Sequence, residues 1–138
     1  MIKKLIILLL LLPHLLYAEA DKENFLFDFI AGSYTLIGYM PGTDRAYHGN
    51  VNFDKDMDRL QITRRINGHT AHGEARIEKA LHGETDVLRI RFRETDKDYE
   101  ETCLIGSDLD NYPRLTCYLY QPDMATDQPG LEAYFINR

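Results

Sequence analysis

The fold of this chain is decided by residues 99–120, which read YEETCLIGSDLDNYPRLTCYLY. Two runs rich in β-forming residues flank a polar turn segment, and each run carries one of the chain's only two cysteines. Side chains on a strand alternate between two faces, so Cys103 and Cys117 share one face of a hairpin centred on Asp110. Directly opposed residues of antiparallel strands lie about 4.5–5.5 Å apart at Cα, which a disulfide can span. The stretch therefore predicts a hairpin closed by a Cys103–Cys117 disulfide.

A secretory leader is predicted at residues 1–20, which read MIKKLIILLLLLPHLLYAEA. Two lysines precede an apolar run, and Ala18 and Ala20 form an A-x-A cleavage site. The run is shorter than the roughly 20 apolar residues that a spanning helix needs, and Pro13 interrupts it, which disfavours a membrane anchor. We therefore expect a signal peptide cleaved after Ala20, and a bacterial periplasmic or secreted protein without a membrane segment after cleavage.

The segment 21–138 is predicted to form a single domain, since so short a chain rarely divides its core. The whole chain has a formal net charge of −6 and no basic stripe, which disfavours nucleic acids and anionic membranes as partners. Two cysteines fit an oxidising compartment.

Most of this domain reads as about eight short strands separated by turns. The runs outside the cysteine hairpin are SYTLIGY (33–39), AYHGNVNF (46–53), RLQITRRI (59–66), HTAHGEARIEK (69–79), DVLRIRF (86–92) and LEAYFIN (131–137). The segments between these strands are too short to contain crossover helices. The fold class is therefore all-β, an eight-stranded antiparallel meander closed into a small barrel or, failing that, packed as a sandwich.

A short helix is predicted before the first strand. Phe25 and Phe29 have helical spacing, with Leu26 and Ile30 beside them, and Gly32 follows as a C-terminal cap. We expect the phenylalanines to plug one end of the β domain.

The turn at Asn67-Gly68 fixes a register, because both residues accept the positive φ of a type I′ turn. This register pairs four residues of one strand with four of the next, namely Ile66 with His69, Arg64 with Ala71, Ile62 with Gly73, and Leu60 with Ala75. The inner face of the second strand then consists of very small residues, which either let another backbone pack closely or leave room for a ligand. A similar turn at Asp96-Lys97 pairs Ile90 with Cys103, which puts Cys103 on the inner face by a second argument.

The same alternation of side chains between the two faces places two charged residues, Arg64 and Glu101, on the inner face. Charges are rarely buried without partners, so the two form either an ion pair that orients the polar group of a ligand or a structural pair. Tyr34, Tyr47 and Tyr99 fall on the same face. A tyrosine suits a binding pocket because it is apolar with one hydroxyl, although it also serves as ordinary core packing.

A short helix, then Gly32-Ser33-Tyr34 opening the first strand of an eight-strand meander, resembles the calycin superfamily of lipocalins, fatty-acid-binding proteins and avidins. Tyr34 stands where that superfamily commonly has a tryptophan, and Arg138 follows the last strand, where an arginine would pack on it. The resemblance implies a barrel open at one end, with a lumen that takes a small, largely apolar ligand.

Known catalytic and metal-binding patterns are missing from the sequence. The segment 54–58, DKDMD, begins like a calcium loop but lacks the glycine and glutamate that an EF-hand needs later. His69 and His72 fall on opposite faces of a strand, and both cysteines are assigned to the disulfide. We therefore predict no enzyme, no metal and no cofactor.

Two functions stay open at this point. The first is an exported barrel that binds a small apolar or amphipathic molecule through the inner face. The alternative is an exported protein-binding module, such as an inhibitor of a cationic lysozyme-like enzyme, that acts through the acidic loops at 54–58 and 107–113 with Tyr112 exposed.

Overall fold

A computed structural model describes the backbone of residues 2–138 and the side chains from residue 16 onward. One long helix, α1 (Ile2–Ile30), precedes the strands. The strands are β1 (Gly32–Tyr39), β2 (Ala46–Asp56), β3 (Arg59–Ile66), β4 (His69–Ala80), β5 (Thr85–Glu94), β6 (Lys97–Ser107), β7 (Pro113–Tyr120) and β8 (Gly130–Ile136). A single 3₁₀ turn, Leu81–Gly83, connects β4 to β5.

The eight strands form a closed antiparallel barrel in which each strand pairs with its neighbour in sequence and β8 pairs back onto β1. Inward side chains alternate with outward ones along each strand, as on β7, where Leu115, Cys117 and Leu119 are buried and the residues between them are exposed. The predicted eight-stranded meander and its closure into a barrel are confirmed, and the sandwich is excluded.

The β3–β4 register is the one predicted from Asn67-Gly68. Both turn residues have positive φ, 52° and 80°, as a type I′ turn requires. Ile66 lies opposite His69, Arg64 opposite Ala71, and Ile62 opposite Gly73.

The β5–β6 register predicted from Asp96-Lys97 is wrong by two residues. Ile90 pairs with Glu101, and Cys103 pairs with Leu88. The turn is formed by Thr95 and Asp96, whose φ angles are 50° and 61°. A shift of two residues keeps every side chain on its predicted face, so Glu101 still points inward.

The small residues on β4 let backbones approach closely. A Cβ on Gly73 would collide with the carbonyl oxygen of Arg91 and with the side chain of Phe92 on β5. Ala71 and Ala75 are buried beside it. Of the two readings of this row, close packing is therefore the one that the structure supports at Gly73.

Helix α1 closes one end of the barrel. Phe27 and Ile30 are buried in the core, and the Tyr34 hydroxyl donates to the Ile30 carbonyl at 2.6 Å. Lys55 on β2 pairs with Asp28 at 2.6 Å, and Lys22 pairs with Asp86 on β5. The helix thus docks on the end formed by the β2–β3, β4–β5 and β6–β7 connections.

Two details of the predicted helix are wrong. Phe25 is 67% exposed and stacks on Phe29 outside the core. Phe27 fills the end instead, because helical spacing puts it on the face shared with Ile30. Gly32 does not cap the helix but opens β1.

The predicted leader lies largely outside the described side chains, and its cleavage stays a prediction. Among the residues that were searched, no helix combines the length and apolarity needed to cross a membrane.

The disulfide between Cys103 and Cys117 is confirmed. The two residues lie directly opposite each other on β6 and β7 and are almost fully buried. Their side chains point into the barrel beside Glu101.

Candidate functional site

The interior holds a buried cluster of four polar residues, Arg64, Glu101, Glu132 and Tyr134, which we call the inner cluster. Arg64 on β3 is 1% exposed, Glu101 on β6 is 0% exposed and Glu132 on β8 is 1% exposed. Such burial without partners would be very costly, so the contacts within the cluster decide whether it is tolerated.

Arg64 holds both carboxylates. Its Nη1 donates to Glu101 Oε1 and to Glu132 Oε2, each at 2.8 Å, and its Nη2 donates to Glu132 Oε1 at 2.7 Å. The guanidinium also stacks on Phe92, with 4.0 Å from Cζ to the ring centroid. Within the described residues, Arg64 Nε is a buried donor without an acceptor.

The predicted Arg64–Glu101 pair is present, but it is part of a larger network. Glu132 binds Arg64 through both of its oxygens, whereas Glu101 does so through one. The end-on bidentate geometry with Glu132 is the stronger of the two arrangements.

Tyr134 sits between the two carboxyl groups. Its hydroxyl oxygen lies 2.6 Å from Glu132 Oε2, 2.7 Å from Glu101 Oε2 and 3.0 Å from Glu101 Oε1. A phenol has one proton to donate, and it cannot satisfy both carboxylates at once. These distances fit a cluster in which one of the two carboxyl groups carries a proton.

The surroundings shift the pKa values of Glu101 and Glu132 in opposite directions. Burial raises the pKa of Glu101 well above its ordinary value, and the charge of Glu132 raises it further, while Arg64 opposes both effects. Burial also acts to raise the pKa of Glu132, but the charge and hydrogen bonds of Arg64 outweigh it and lower that pKa to about 2. The proton therefore belongs to Glu101.

The backbone makes room for this network at Gly38 on β1. Gly38 lies opposite Glu132, and a Cβ at this position would collide with the Leu131 carbonyl and the Glu132 side chain. A glycine is therefore required where the carboxylate turns inward.

Of the three predicted tyrosines, Tyr47 is the one that hydrogen-bonds to the inner cluster. Its hydroxyl donates to Glu132 Oε1, and its ring is only half-buried. Burial and the charge of Glu132 raise its pKa. Tyr34 packs edge-on against Phe53 at the helix end, and Tyr99 stacks on Phe92 with 5.5 Å between centroids. The predicted set thus divides into one residue that hydrogen-bonds to the inner cluster and two packing residues.

We call the end of the barrel opposite α1, which the helix leaves uncovered, the open end. It is ringed by the β1–β2, β3–β4, β5–β6 and β7–β8 connections. Tyr47 lies at this end, in a cleft of about 510 Å³ that also has Met40, Thr43, Arg45 and Asn67 on its walls. Tyr47 therefore joins the solvent-filled cleft to the buried carboxylate of Glu132.

Further clefts surround the same end. Two of about 570 and 650 Å³ lie along the β7–β8 connection and share Gly42. Another of about 670 Å³ runs along the outer wall of β4–β6 and reaches the edges of Phe92 and Tyr99. Three of these four clefts therefore lie at the end of the barrel opposite α1, and the fourth lies on the outer wall.

Sequence reasoning missed Glu132 and Tyr134. The register of their strand is not fixed by a tight turn, because the connection before it spans residues 121–129. The apolar pattern of Leu131, Ala133 and Phe135 also marks the opposite face as the inner one. Their position could have been found by requiring the barrel to close. Closure places Glu132 opposite Gly38 of β1 and opposite the buried Cys117 of β7.

The other predicted features are also placed by the structure. Within the searched residues, the group with metal-ligand spacing is Glu101, Cys103 and Cys117. Both sulfurs are in the disulfide and cannot act as thiolate ligands. The guanidinium of Arg138 does not pack on Tyr34 as the calycin resemblance implied, but lies 4.3 Å over the ring of Tyr112.

The two acidic loops are partly neutralised by the protein itself. Asp108 and Asp110 both pair with Arg138, at 3.0 and 2.9 Å. Asp58 pairs with Arg76 at 3.0 Å.

No protein-family model, no curated protein and no solved structure matches this chain.

Proposed function

We propose that this protein is an exported, non-catalytic barrel that binds a small amphipathic molecule at its open end. The single observation that carries the proposal is the inner cluster, whose three ionisable side chains are at most 1% exposed and border the Tyr47 cleft through the Tyr47 hydroxyl. A mostly apolar site with a few convergent polar groups is the usual form of a ligand pocket.

The binding site consists of the cleft at Tyr47 and the inner cluster beneath it. The apolar part of the ligand lies in the cleft against Met40 and the ring of Tyr47, both of which line it. The polar part replaces the Tyr47 hydroxyl at Glu132. Binding therefore requires Tyr47 to turn aside, which its half-buried ring permits better than a core residue would.

The cluster offers no catalytic role. Catalysis needs a nucleophile or an acid–base pair that meets a substrate, and Glu101 and Glu132 are both engaged with Arg64 and Tyr134. Periplasmic or extracellular location is part of the same proposal, supported by the leader pattern and by the disulfide, which persists in oxidising compartments.

The proposal is tested by native mass spectrometry of the protein purified from its own host, followed by titration of the stripped protein with the uncharged fluorescent probe N-phenyl-1-naphthylamine. We expect a retained small mass and saturable probe binding. Thr43→Trp fills the cleft at Tyr47 and should weaken binding, whereas the matched control Thr70→Trp on the outer wall should not. Absence of both a retained mass and probe binding would refute the proposal.

A second candidate is a module that binds a cationic partner protein. It is favoured by Leu109, which is fully exposed at the tip of the loop between β6 and β7, next to Tyr112. The pairing of Asp108 and Asp110 with Arg138 reduces the negative charge that this loop presents, which weakens the case. A retained protein in the mass spectrum, lost in Leu109→Ser, is the result that supports this candidate over the first.

A further inference from the structure

We propose that the polar group of the ligand is a cation, a primary ammonium on an apolar chain, which takes the place of the proton that Glu101 carries. This inference rests on the proposed function and deepens it by naming the ligand class.

The first argument is the count of charges. The inner cluster contains one guanidinium and two carboxyl groups, all nearly or fully buried. A carboxylate or phosphate ligand would add another negative charge beside Glu132, where like charges repel strongly in a low dielectric. A cation can take over the role of the proton on Glu101 and leave the cluster neutral, whereas an anion cannot.

The second argument is the count of hydrogens. Three carboxyl oxygens lie within 3.0 Å of the Tyr134 hydroxyl, which has a single proton. In the empty protein the missing hydrogen is supplied by a protonated carboxyl group. An ammonium brings three donors, so it can replace both this hydrogen and the hydrogen bond from Tyr47 to Glu132.

The third argument is access. Of the three described side chains that hydrogen-bond to Glu132, Tyr47 is the most exposed, and the cleft beside it is bounded by Arg45 and His48. The groups that face the two carboxyls are Arg64 from β3, Tyr47 from β2 and Tyr134 from β8. Arg45 is an exposed side chain at the rim, where water screens its charge more than inside the barrel.

The exchange is balanced in protons and charge. The ammonium enters with its charge, the Glu101 carboxyl loses its proton to solvent, and the cluster stays neutral. Binding of the cation therefore releases about one proton at pH values where the empty cluster holds it.

The test uses three probes of equal chain length, octylammonium, octanol and octanoate. Isothermal titration calorimetry at pH 7 in two buffers with different ionisation enthalpies gives both the affinity and the number of protons released. Octanol serves as the neutral control, since its hydroxyl can accept from Arg64 Nε without adding charge. We expect octylammonium to bind about tenfold or more tightly than octanol, octanoate to bind most weakly, and about one proton to be released with the ammonium alone.

Glu132→Gln provides the matched variant, because it removes one charge and keeps the side-chain volume. It should abolish both the preference for octylammonium over octanol and the release of a proton. If this variant fails to fold, the proton release measured in the wild-type protein decides alone.

The outcomes separate the two proposals. If octanol or octanoate binds at least as tightly as octylammonium, or if octylammonium binds without proton release, the cation inference is overturned and the binding barrel stands. If none of the three probes nor N-phenyl-1-naphthylamine binds, the barrel proposal fails, and the cation inference fails with it.

Discussion

A guanidinium inside a small barrel shows how strongly one residue can constrain the others. Arg64 has 1% of its surface exposed and is held by two carboxyl groups, a tyrosine hydroxyl and an aromatic ring. The desolvation cost of such a group is several kcal/mol per ion and is offset only by well-formed contacts. Each member of the cluster therefore depends on the others.

Arg64→Met should lower the free energy of unfolding by about 3–5 kcal/mol, because two buried carboxyl groups lose their counter-ion. Arg65→Met is the matched control, since Arg65 is the next residue on β3 and points to solvent. Urea denaturation of the two variants at pH 7 measures the difference. Equal stability of the two variants would show that the inner cluster does not support the fold.

Stability should pass through a maximum at mildly acidic pH. Glu132 has a folded pKa of about 2, below the ordinary 4.5, so its contribution is complete above pH 4.5 and is lost as the pH falls towards 2. The pKa of Glu101 is raised in the folded state, so the folded protein keeps a proton that the unfolded chain releases, and stability falls as the pH rises above about 4.5. One proton corresponds to a slope of about 1.4 kcal/mol per pH unit.

Chemical denaturation from pH 3 to pH 8 measures this profile. Glu101→Gln keeps the volume but cannot ionise, so it should flatten the decline on the alkaline side while leaving the acid side in place. A wild-type profile that rises steadily from pH 5 to pH 8 would contradict the assignment of the proton to Glu101.

At the scale of strands and hairpins, local turn chemistry decided what could be predicted. Asn67-Gly68 specified its hairpin because both residues tolerate positive φ, and the β3–β4 register was right. At the β5–β6 turn Thr95 occupies a left-handed position that a β-branched residue rarely takes, so the sequence pointed one residue too far along the chain. The register of β8 had no local determinant, and Glu132 was missed for that reason.

Reduction of the Cys103–Cys117 disulfide should lower the stability by about 3 kcal/mol, the value expected for a ring of roughly 15 residues. Differential scanning calorimetry with and without a reductant measures the fall in Tm. Detection of two free thiols in unfolded protein that was never exposed to a reductant would contradict the bond.

Large residues should be poorly tolerated on the inner face of β4. Ala75→Trp and Ala71→Trp place a bulky ring in a close-packed interior and should cost about 1–3 kcal/mol or more. His72→Trp, on the exposed face of the same strand, should change stability by about 0.5 kcal/mol or less. Thermal melts of the three variants test the orientation, and a larger loss for His72→Trp than for the alanine variants would reverse it.

For the whole molecule, the fold class and the inward faces of most strands could be predicted from the alternation of apolar and polar residues and from the turns. Which end of the barrel the helix leaves uncovered could not be predicted in this way. The difference between the two ends depends on Phe27 and Ile30, which fill one end from a helix whose phenylalanine pattern favoured Phe25 instead. The charge balance of the interior could not be predicted from the sequence either, because the charged residues come from three strands, β3, β6 and β8, whose positions must all be known. Residues that are far apart in the chain meet only after the barrel closes.

That closure also sets an order of events during folding. The β1–β8 seam joins residues as distant as Thr35 and Asn137, 102 positions apart, and such long-range pairings form slowly compared with local hairpins. Glu132 and Tyr134 lie on β8, the last of the eight strands to be synthesised. Until β8 arrives, the nascent sheet has two unpaired edges and a guanidinium with half of its partners, and this is the species that chaperones and proteases encounter.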